Sequence, residues 1–429
     1  MAKTIVMIGT LDTKGDQFAY LKKLIEERGH RVITMDVGVL GEPPFVPAIS
    51  SAEVARAGGT SLEELRTSRE HEPTAVMDRM AQGAVRLAKK LYDNGEMDGV
   101  VAGGGSMGTA LALDVMRNLP LGLPKLVVST MAYSIAILPD VIGGSDVMML
   151  PWIAGLWGLN SIAERTLRIA AGAITGAAEG YEKGRAIGKK TVGVTAVGGS
   201  VQGYMGGLKR GLEERGYEVA VFHGTGMSGR VYEKAIADGL IVASVDMAVG
   251  GELTNYVAGG VCSAGADRLE AAGAAGIPQI VSADRFIFHW WSSMPLPEKY
   301  RDRQRSLHNS MFGPVRCSSE EAATVGELMA EKLNRAQGPV AVVIPKQPPA
   351  HGAAGGIMKP EQWQAFRERF LAKASPSLKV LVYDGRPEEP GFVEMLLGLF
   401  DEMMQGPGLT GLTSRFAKKE GNNEPVEGR

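Results

Sequence analysis

The chain repeats its own opening once. Lys3-Thr4-Ile5 returns as Lys190-Thr191-Val192, and Leu21 to Gly29 (LKKLIEERG) returns as Leu208 to Gly216 (LKRGLEERG). Both matches fall at the same offset of 187 (190 − 3 and 208 − 21), and a shared offset is the mark of a duplicated unit rather than of two unrelated helices. Each copy reads β-loop-α-β. Thr4 to Ile8 is an apolar run of strand length, and the following stretch sets Phe18, Leu21, Leu24 and Ile25 on one helical face. Thr13-Lys14-Gly15-Asp16 has the spacing of a capping box, and Gly29 stands where a helix stops. Arg31 to Met35, Gly99 to Ala102 and Lys125 to Val128 follow as strands; their counterparts are Thr191 to Val194, Glu218 to Phe222, Leu240 to Ala243 and Gln279 to Val281. Alternating β and α elements predict an α/β chain of two Rossmann-like lobes, each a mostly parallel sheet flanked by helices.

The offset drops to 141 at the third strand (240 − 99), so the first lobe carries about 46 extra residues. They span the Pro-rich Gly41 to Pro47 and the polar stretch Ser50 to Glu72, a lid, an oligomer contact or a plain surface excursion. Asn160 to Gly180 reads as a long helix closing lobe one, and Tyr181 to Lys189 as a linker. The expected domains are 1–180, 190–404 and a polar tail, 405–429, whose end is expected to be disordered. Pro339 to Ile344 and Lys379 to Tyr383 extend the second sheet.

Composition removes several classes. A net charge of −2 argues against a general nucleic-acid binder. Two cysteines, Cys262 and Cys317, make neither a zinc quartet nor a disulfide framework and fit a reducing compartment. The opening reads as a strand, not a signal peptide, and the most apolar stretch, Val147 to Leu159, is interrupted by Pro151 and too short to span a bilayer. A cytoplasmic protein, without nucleic-acid or membrane partners, is expected.

Open parallel sheets bind ligands beyond the carboxyl ends of their strands. In lobe one that rule selects Gly9 to Gly15, with Thr10, Asp12, Thr13 and Lys14, and the triple-glycine turn Gly103-Gly104-Gly105-Ser106-Met107-Gly108-Thr109. Glycines admit a phosphate to the backbone, and a helix N-terminus donates to it; the same residues also suit a plain βα turn. Ser129 and Thr130, with Gly143-Gly144-Ser145-Asp146, are candidates for a phosphate or Mg²⁺ shell, and Asp36 for ribose hydroxyls or for a turn cap. In lobe two, His223, Asp246 and Glu252, with Ser282 and Asp284, fall at strand ends and could move protons or hold a divalent metal. Arg230 follows His223, and the cationic run Lys299 to Asn309 holds Arg301, Arg303, Arg305 and His308. On a helix Arg301 and Arg305 would share one face, as would Arg305 and His308, with Arg303 turned to solvent. That expectation makes Arg230, Arg301 and Arg305 anion ligands and His308 a fourth catalytic candidate.

These motifs, in this order, resemble the ATP-binding domain family typified by the N-terminal half of the tomato mosaic virus resistance protein, with many uncharacterised bacterial and fungal members. The shared residues include Gly9 to Gly15, Met35 to Gly38, Gly103 to Thr109, Val128-Ser129-Thr130, Gly144-Ser145-Asp146 and Gly158-Leu159-Asn160. They continue with Ala170 to Ala173, Phe222 to Gly226, Ala264 to Gly273 and His308-Asn309. The resemblance implies two Rossmann-like lobes, ATP binding associated with lobe one, and a homodimer; Mg²⁺ is a candidate companion of the ATP. The chain departs from it at Met131-Ala132-Tyr133-Ser134, around Trp157 and around Asp384 to Pro390.

The expected function is binding of ATP or another phospholigand in lobe one, with enzymatic action on a small anionic metabolite near the lobe interface. An NAD-dependent dehydrogenase and a non-catalytic nucleotide-binding regulatory module stand as alternatives. For the dehydrogenase, the loop Gly103 to Ser106 lacks the expected acid, since Thr109 holds its place.

Overall fold

The computed structural model describes residues 1–69, 71–155, 157–182, 190–198, 203–283, 285–347 and 359–405. The expected linker beyond 182, Asp284 and the tail beyond 405 lie outside them. The chain divides into two compact units, Met1–Ala186 and Ile187–Arg429.

Lobe one is a five-stranded parallel sheet built from β1 (Thr4–Gly9), β2 (Arg31–Asp36), β3 (Gly99–Gly104), β4 (Lys125–Ser129) and β5 (Met148–Pro151), in the order β2-β1-β3-β4-β5. Its central strands are apolar on both faces, as a sheet covered on both sides requires. Val6 and Ile8 of β1 pack with helices Pro73–Asp93 and Ser106–Arg117. Ile5 and Met7 face the other way, onto helices Leu11–Glu27 and Ser161–Gly180. The expected face of the first helix is the buried one: Phe18, Leu21, Leu24 and Ile25. Gly29 ends it at φ +84°. The expected capping box at Thr13 does not form. The helix starts at Leu11 and kinks at Lys14 (φ −131°), and the Thr13 hydroxyl donates to the Thr10 carbonyl instead. Asn160 caps the last helix of the lobe, its Oδ1 accepting from the Ile162 and Ala163 amides.

Lobe two holds β6 (Thr191–Ala196), β7 (Glu218–His223), β8 (Ala243–Asp246), β9 (Gln279–Val281), β10 (Ile287–Trp291), β11 (Phe312–Arg316), β12 (Val340–Pro345) and β13 (Lys379–Tyr383). Six of these form a parallel sheet, β13-β12-β9-β8-β6-β7, whose first four strands in chain order repeat the order of lobe one; β10 and β11 pair as a separate antiparallel hairpin.

The third strand of this lobe begins three residues later than expected. Leu240 closes the helix Met227–Ala237, its amide donating to the Ala235 carbonyl behind Gly239 (φ +76°). Strand register sets the equivalences: Ile8 faces Ala102, and Thr195 faces Asp246. The offset is thus 187 at the first strand (195 − 8) and 144 at the third (246 − 102), so the insertion in lobe one is 43 residues rather than 46. It contains two short helices, Ser51–Ala57 and Leu62–Ser68, each opened by a serine capping box.

The cationic run is not a helix. Only Glu298–Tyr300 forms a 3₁₀ turn, and Arg305 pairs with Val315 across an isolated antiparallel bridge. The expected helical faces of Arg301 and Arg305 therefore do not exist, and the solvated residue is the wrong one. Arg303 is half-buried and bonded to Glu321 at 2.7 Å, whereas Arg301, Arg305 and His308 are exposed. Backbone pairing with β11 overrode the local helical pattern: the Ser306 amide donates to the Pro314 carbonyl and the Arg316 amide to the Gln304 carbonyl.

Candidate functional site

In lobe one the chain leaves β1 toward one face of the sheet and β3 toward the other, so a crevice opens between their carboxyl ends. A cleft of about 240 Å³ lies there. Thr10, Asp12 and Thr13 from the cap and first turn of the helix after β1 and Gly105, Ser106 and Gly108 from the cap and first turn of the helix after β3 line it together. Val37 and Val39 after β2 add apolar wall, and Arg69 and Met77 come from the insertion and the helix behind it. Arg69 was not legible in the sequence, since nothing local ties that stretch to this sheet edge.

The glycines divide by role. A Cβ on Gly103 would lie 2.4 Å from the Val128 carbonyl oxygen, and one on Gly104 (φ +157°) would lie 3.1 Å from the Gly108 Cα. These three bring the helix Ser106–Arg117 hard against the sheet. Gly105 differs: an added Cβ would meet only Thr130 Oγ1, at 3.9 Å. Gly105 caps that helix without a side-chain bond, so the first-turn amides have no partner within the helix and stand at the cleft. Asp12 accepts from the Leu40 amide at 2.6 Å through Oδ2, while its buried Oδ1 has no partner. A Cβ on Gly38 would displace that carboxylate.

Other candidates serve the scaffold. Asp36 is buried, and its Oδ1 accepts from the amides of Leu11 and Gly38, so the carboxylate holds both loops. Burial raises its pKa against the lowering effect of those amides. Thr109 and Ser129 share a buried hydroxyl bond of 2.6 Å, joining the helix to the end of β4. Thr130 is exposed beside Gly105. Lys14 is buried, its pKa lowered first by desolvation. Asp146 does not reach the cleft: it bonds Lys125 Nζ at 2.5 Å, at the opposite, amino end of β4. Ser145 donates to the Met116 carbonyl.

The lobe-two candidates separate as well. Asp246 and Glu252 are joined, but around Arg268, a fully buried arginine. Its Nε donates to Glu252 at 2.6 Å, its Nη1 to Asp246 at 2.5 Å and Glu233 at 2.9 Å, and its Nη2 to Asp246 at 2.8 Å. Burial raises the pKa of Glu233 and of Glu252, with Arg268 acting against it. Burial alone would lower Arg268, but Asp246 and Glu252 overcome it and hold the guanidinium charged. These carboxylates are sealed in the core, which does not suit proton transfer to a substrate. Glu233 also accepts from the amides of Leu269, Glu270 and Ala271, holding Leu269 at φ +76°. His223 ends the edge strand β7, exposed and outside this network. Arg230 lies across Gly265 and donates to the Ser263 carbonyl. Ser282 is buried. His308 stacks on Phe312. Among the described residues, no three His, Cys, Asp or Glu side chains converge to hold a metal ion, and no helix is long and apolar enough to cross a membrane.

Comparison with known proteins agrees with this two-lobed division. Residues 3–183 match the N-terminal domain, and residues 189–404 the C-terminal domain, of the uncharacterised protein family UPF0261. A UPF0261 protein of Brucella suis is 39% identical, over 92% of this chain and 94% of its own length. One from Clostridium tetani is 36% identical, over 80% and 84%. The ToMV resistance protein Tm-1(GCR237) of Solanum lycopersicum is 27% identical over 80% of this chain, which spans 48% of that longer protein. Among solved structures, the glycosyltransferase SnogD from Streptomyces nogalater covers 93% of this chain at 12% identity, but with a TM-score of 0.20 that carries no argument. The family resemblance seen in the motifs thus rests on both halves of the chain: it belongs to the UPF0261 family.

Proposed function

We propose that lobe one binds a small phosphate-bearing ligand, ATP or a related nucleotide, at the β1/β3 cleft, and that the protein acts on a small anionic metabolite. The observation that carries this reading is the convergence of Thr10, Asp12 and Thr13 with Gly105, Ser106 and Gly108 on one cleft. Open helix-start amides and the Arg69 guanidinium suit an anion. Asp12, with one oxygen unpartnered, would hold a Mg²⁺ ion carried in with the phosphates, which would neutralise phosphate charge. A dinucleotide fits less well. The acid after β2, Asp36, which would accept from a ribose, is already committed to two amides.

Thermal unfolding and calorimetric titration with ATP, ADP, inorganic phosphate and NAD, each with and without Mg²⁺, test it. ATP with Mg²⁺ should stabilise the protein, and Gly105→Val should abolish that gain. Equal affinity in a folded Gly105→Val chain would refute the assignment. We also propose a homodimer, supported by exposed apolar side chains beside the edge strand β5: Tyr133, whose hydroxyl donates to the Met149 carbonyl, and Ile153, just after the strand. Trp152, between them in sequence, is instead core, edge-on to Phe18. Light scattering that returns a monomer mass would remove the dimer.

A further inference from the structure

The duplication gives positions at the carboxyl edge of one sheet a counterpart at the other. Ala102 of β3 corresponds to Asp246 of β8, so at the same spacing of 144 (252 − 108) Gly108 corresponds to Glu252. Each stands in the first turn of the helix that follows its strand, Ser106–Arg117 or Val249–Ala258. The neighbouring strands β2 and β7 match as well, since Gly9 faces Asp36 and Ala196 faces His223. That match runs on past the strands. The Val37 amide donates to the Gly9 carbonyl and the Gly224 amide to the Ala196 carbonyl, at one spacing of 187 (224 − 37 and 196 − 9). Two residues further, Val39 corresponds to Gly226.

In lobe two these counterparts hold a carboxylate. Glu252 accepts from the Gly226 amide at 2.8 Å through Oε1 and from Arg268 Nε at 2.6 Å through Oε2. Lobe one keeps the amide but has no carboxylate to offer it. Val39 is 7% exposed, and among the described residues its amide donates to nothing, although the Val37, Gly38 and Leu40 amides beside it are all bonded. Buried amides are ordinarily paired, with protein, water or a ligand. Gly108 has no side chain to reach it. A cation comes from elsewhere: Arg69, just past the inserted helix Leu62–Ser68, lines the same cleft as Val39 and Gly108.

We infer that the ligand of lobe one sets one anionic group, a phosphate or a carboxylate, where lobe two sets the carboxylate of Glu252: on the Val39 amide, over Gly108, with Arg69 in the part of Arg268. The inference rests on the lobe-one reading and deepens it by naming the place and the partners of the anion. It also accounts for the difference between the copies. Lobe two carries its own carboxylate, sealed by a fully buried arginine, whereas lobe one has glycine there and an exposed arginine at the rim, so the place is open to a ligand. Asp12 is the like charge nearby, its Oδ2 taken by the Leu40 amide. The Mg²⁺ ion proposed at its unpartnered Oδ1 would stand between the two negative groups.

Inorganic phosphate and malonate are titrated separately into the full chain by calorimetry, with Mg²⁺ present. At least one should bind saturably, and the tighter of the two names the group as phosphate or carboxylate. Arg69→Gln alters an exposed side chain, so it should keep the melting midpoint while weakening that binding about tenfold. Gly108→Glu supplies the carboxylate from the chain itself and should abolish binding. It should also melt above Gly108→Gln, and that difference should vanish when Arg69→Gln is added. Unchanged affinity in Arg69→Gln, or equal melting of the two Gly108 variants, would overturn the inference and leave the lobe-one cleft assigned. If the Gly108 variants do not fold, the Arg69→Gln affinity decides alone. No saturable binding of phosphate, malonate or ATP would remove the lobe-one reading and this inference together.

Discussion

Arg268 grips Asp246 with both terminal nitrogens, at 2.5 Å to Oδ2 and 2.8 Å to Oδ1. The position equivalent to Asp246 in lobe one is Ala102, and the facing pair Thr195 and Asp246 replaces Ile8 and Ala102. The same layer of a duplicated fold is therefore apolar in one lobe and ionic in the other. Thr195 completes the exchange by donating to Asp246 Oδ1 at 2.6 Å and accepting from the amides of Met247 and Ala248.

Replacing Arg268 by Met should be severe. It leaves Asp246, Glu252 and Glu233 buried without their cation, and stranding such groups costs about 3–5 kcal/mol. Urea unfolding measures it. A loss below about 1 kcal/mol would mean that the amide bonds to Glu233, and the one the Gly226 amide donates to Glu252, suffice without the arginine.

Neighbouring glycines in the β3 turn should respond in opposite ways. Gly104→Val adds a side chain at φ +157°, against Gly108, and should cost about 1–3 kcal/mol of stability. Gly105→Val projects into open space and should leave the melting midpoint nearly unchanged while removing phosphate binding. If both variants melt alike, packing does not distinguish the two positions.

Acid should destabilise lobe two through His289. Its folded pKa, about 3, lies below the ordinary 6.5, so only the unfolded chain takes up the proton between those values. This part of the stability is complete above pH 6.5 and falls as the pH drops toward 3, by up to about 1.4 kcal/mol per pH unit. His289→Phe should flatten the urea midpoint against pH across that window. Parallel curves for variant and wild type would rule out this source.

Arg303 and Arg301 should behave opposite to their helical expectation. Arg303 bonds Glu321 and the Arg316 carbonyl and lies over the Tyr300 ring, so Arg303→Ala should cost about 1–3 kcal/mol. Arg301 pairs with Glu298 in solvent, and Arg301→Ala should be nearly silent. Melting curves of the two variants decide it.

The alternation of strands and helices, the buried face of the first helix and the lobe-one loops were legible in the sequence, because each depends on local periodicity and on turn residues. Ile5 to Ile8 is apolar throughout because both of its faces are covered, and the Gly103 to Thr109 turn is glycine-rich because strand and helix backbones meet there. That Thr10 and Gly105 line the same cleft follows from parallel order alone. Tertiary structure decided the rest. Whether Asp36, Ser129, Asp246 and Glu252 face a ligand or the core depends on partners far away in the chain: Leu11, Thr109 and Arg268. A carboxylate carries the same one-letter code whether it meets water, a ligand or a buried guanidinium. Its desolvation and its hydrogen bonds exist only once the distant segment has packed against it.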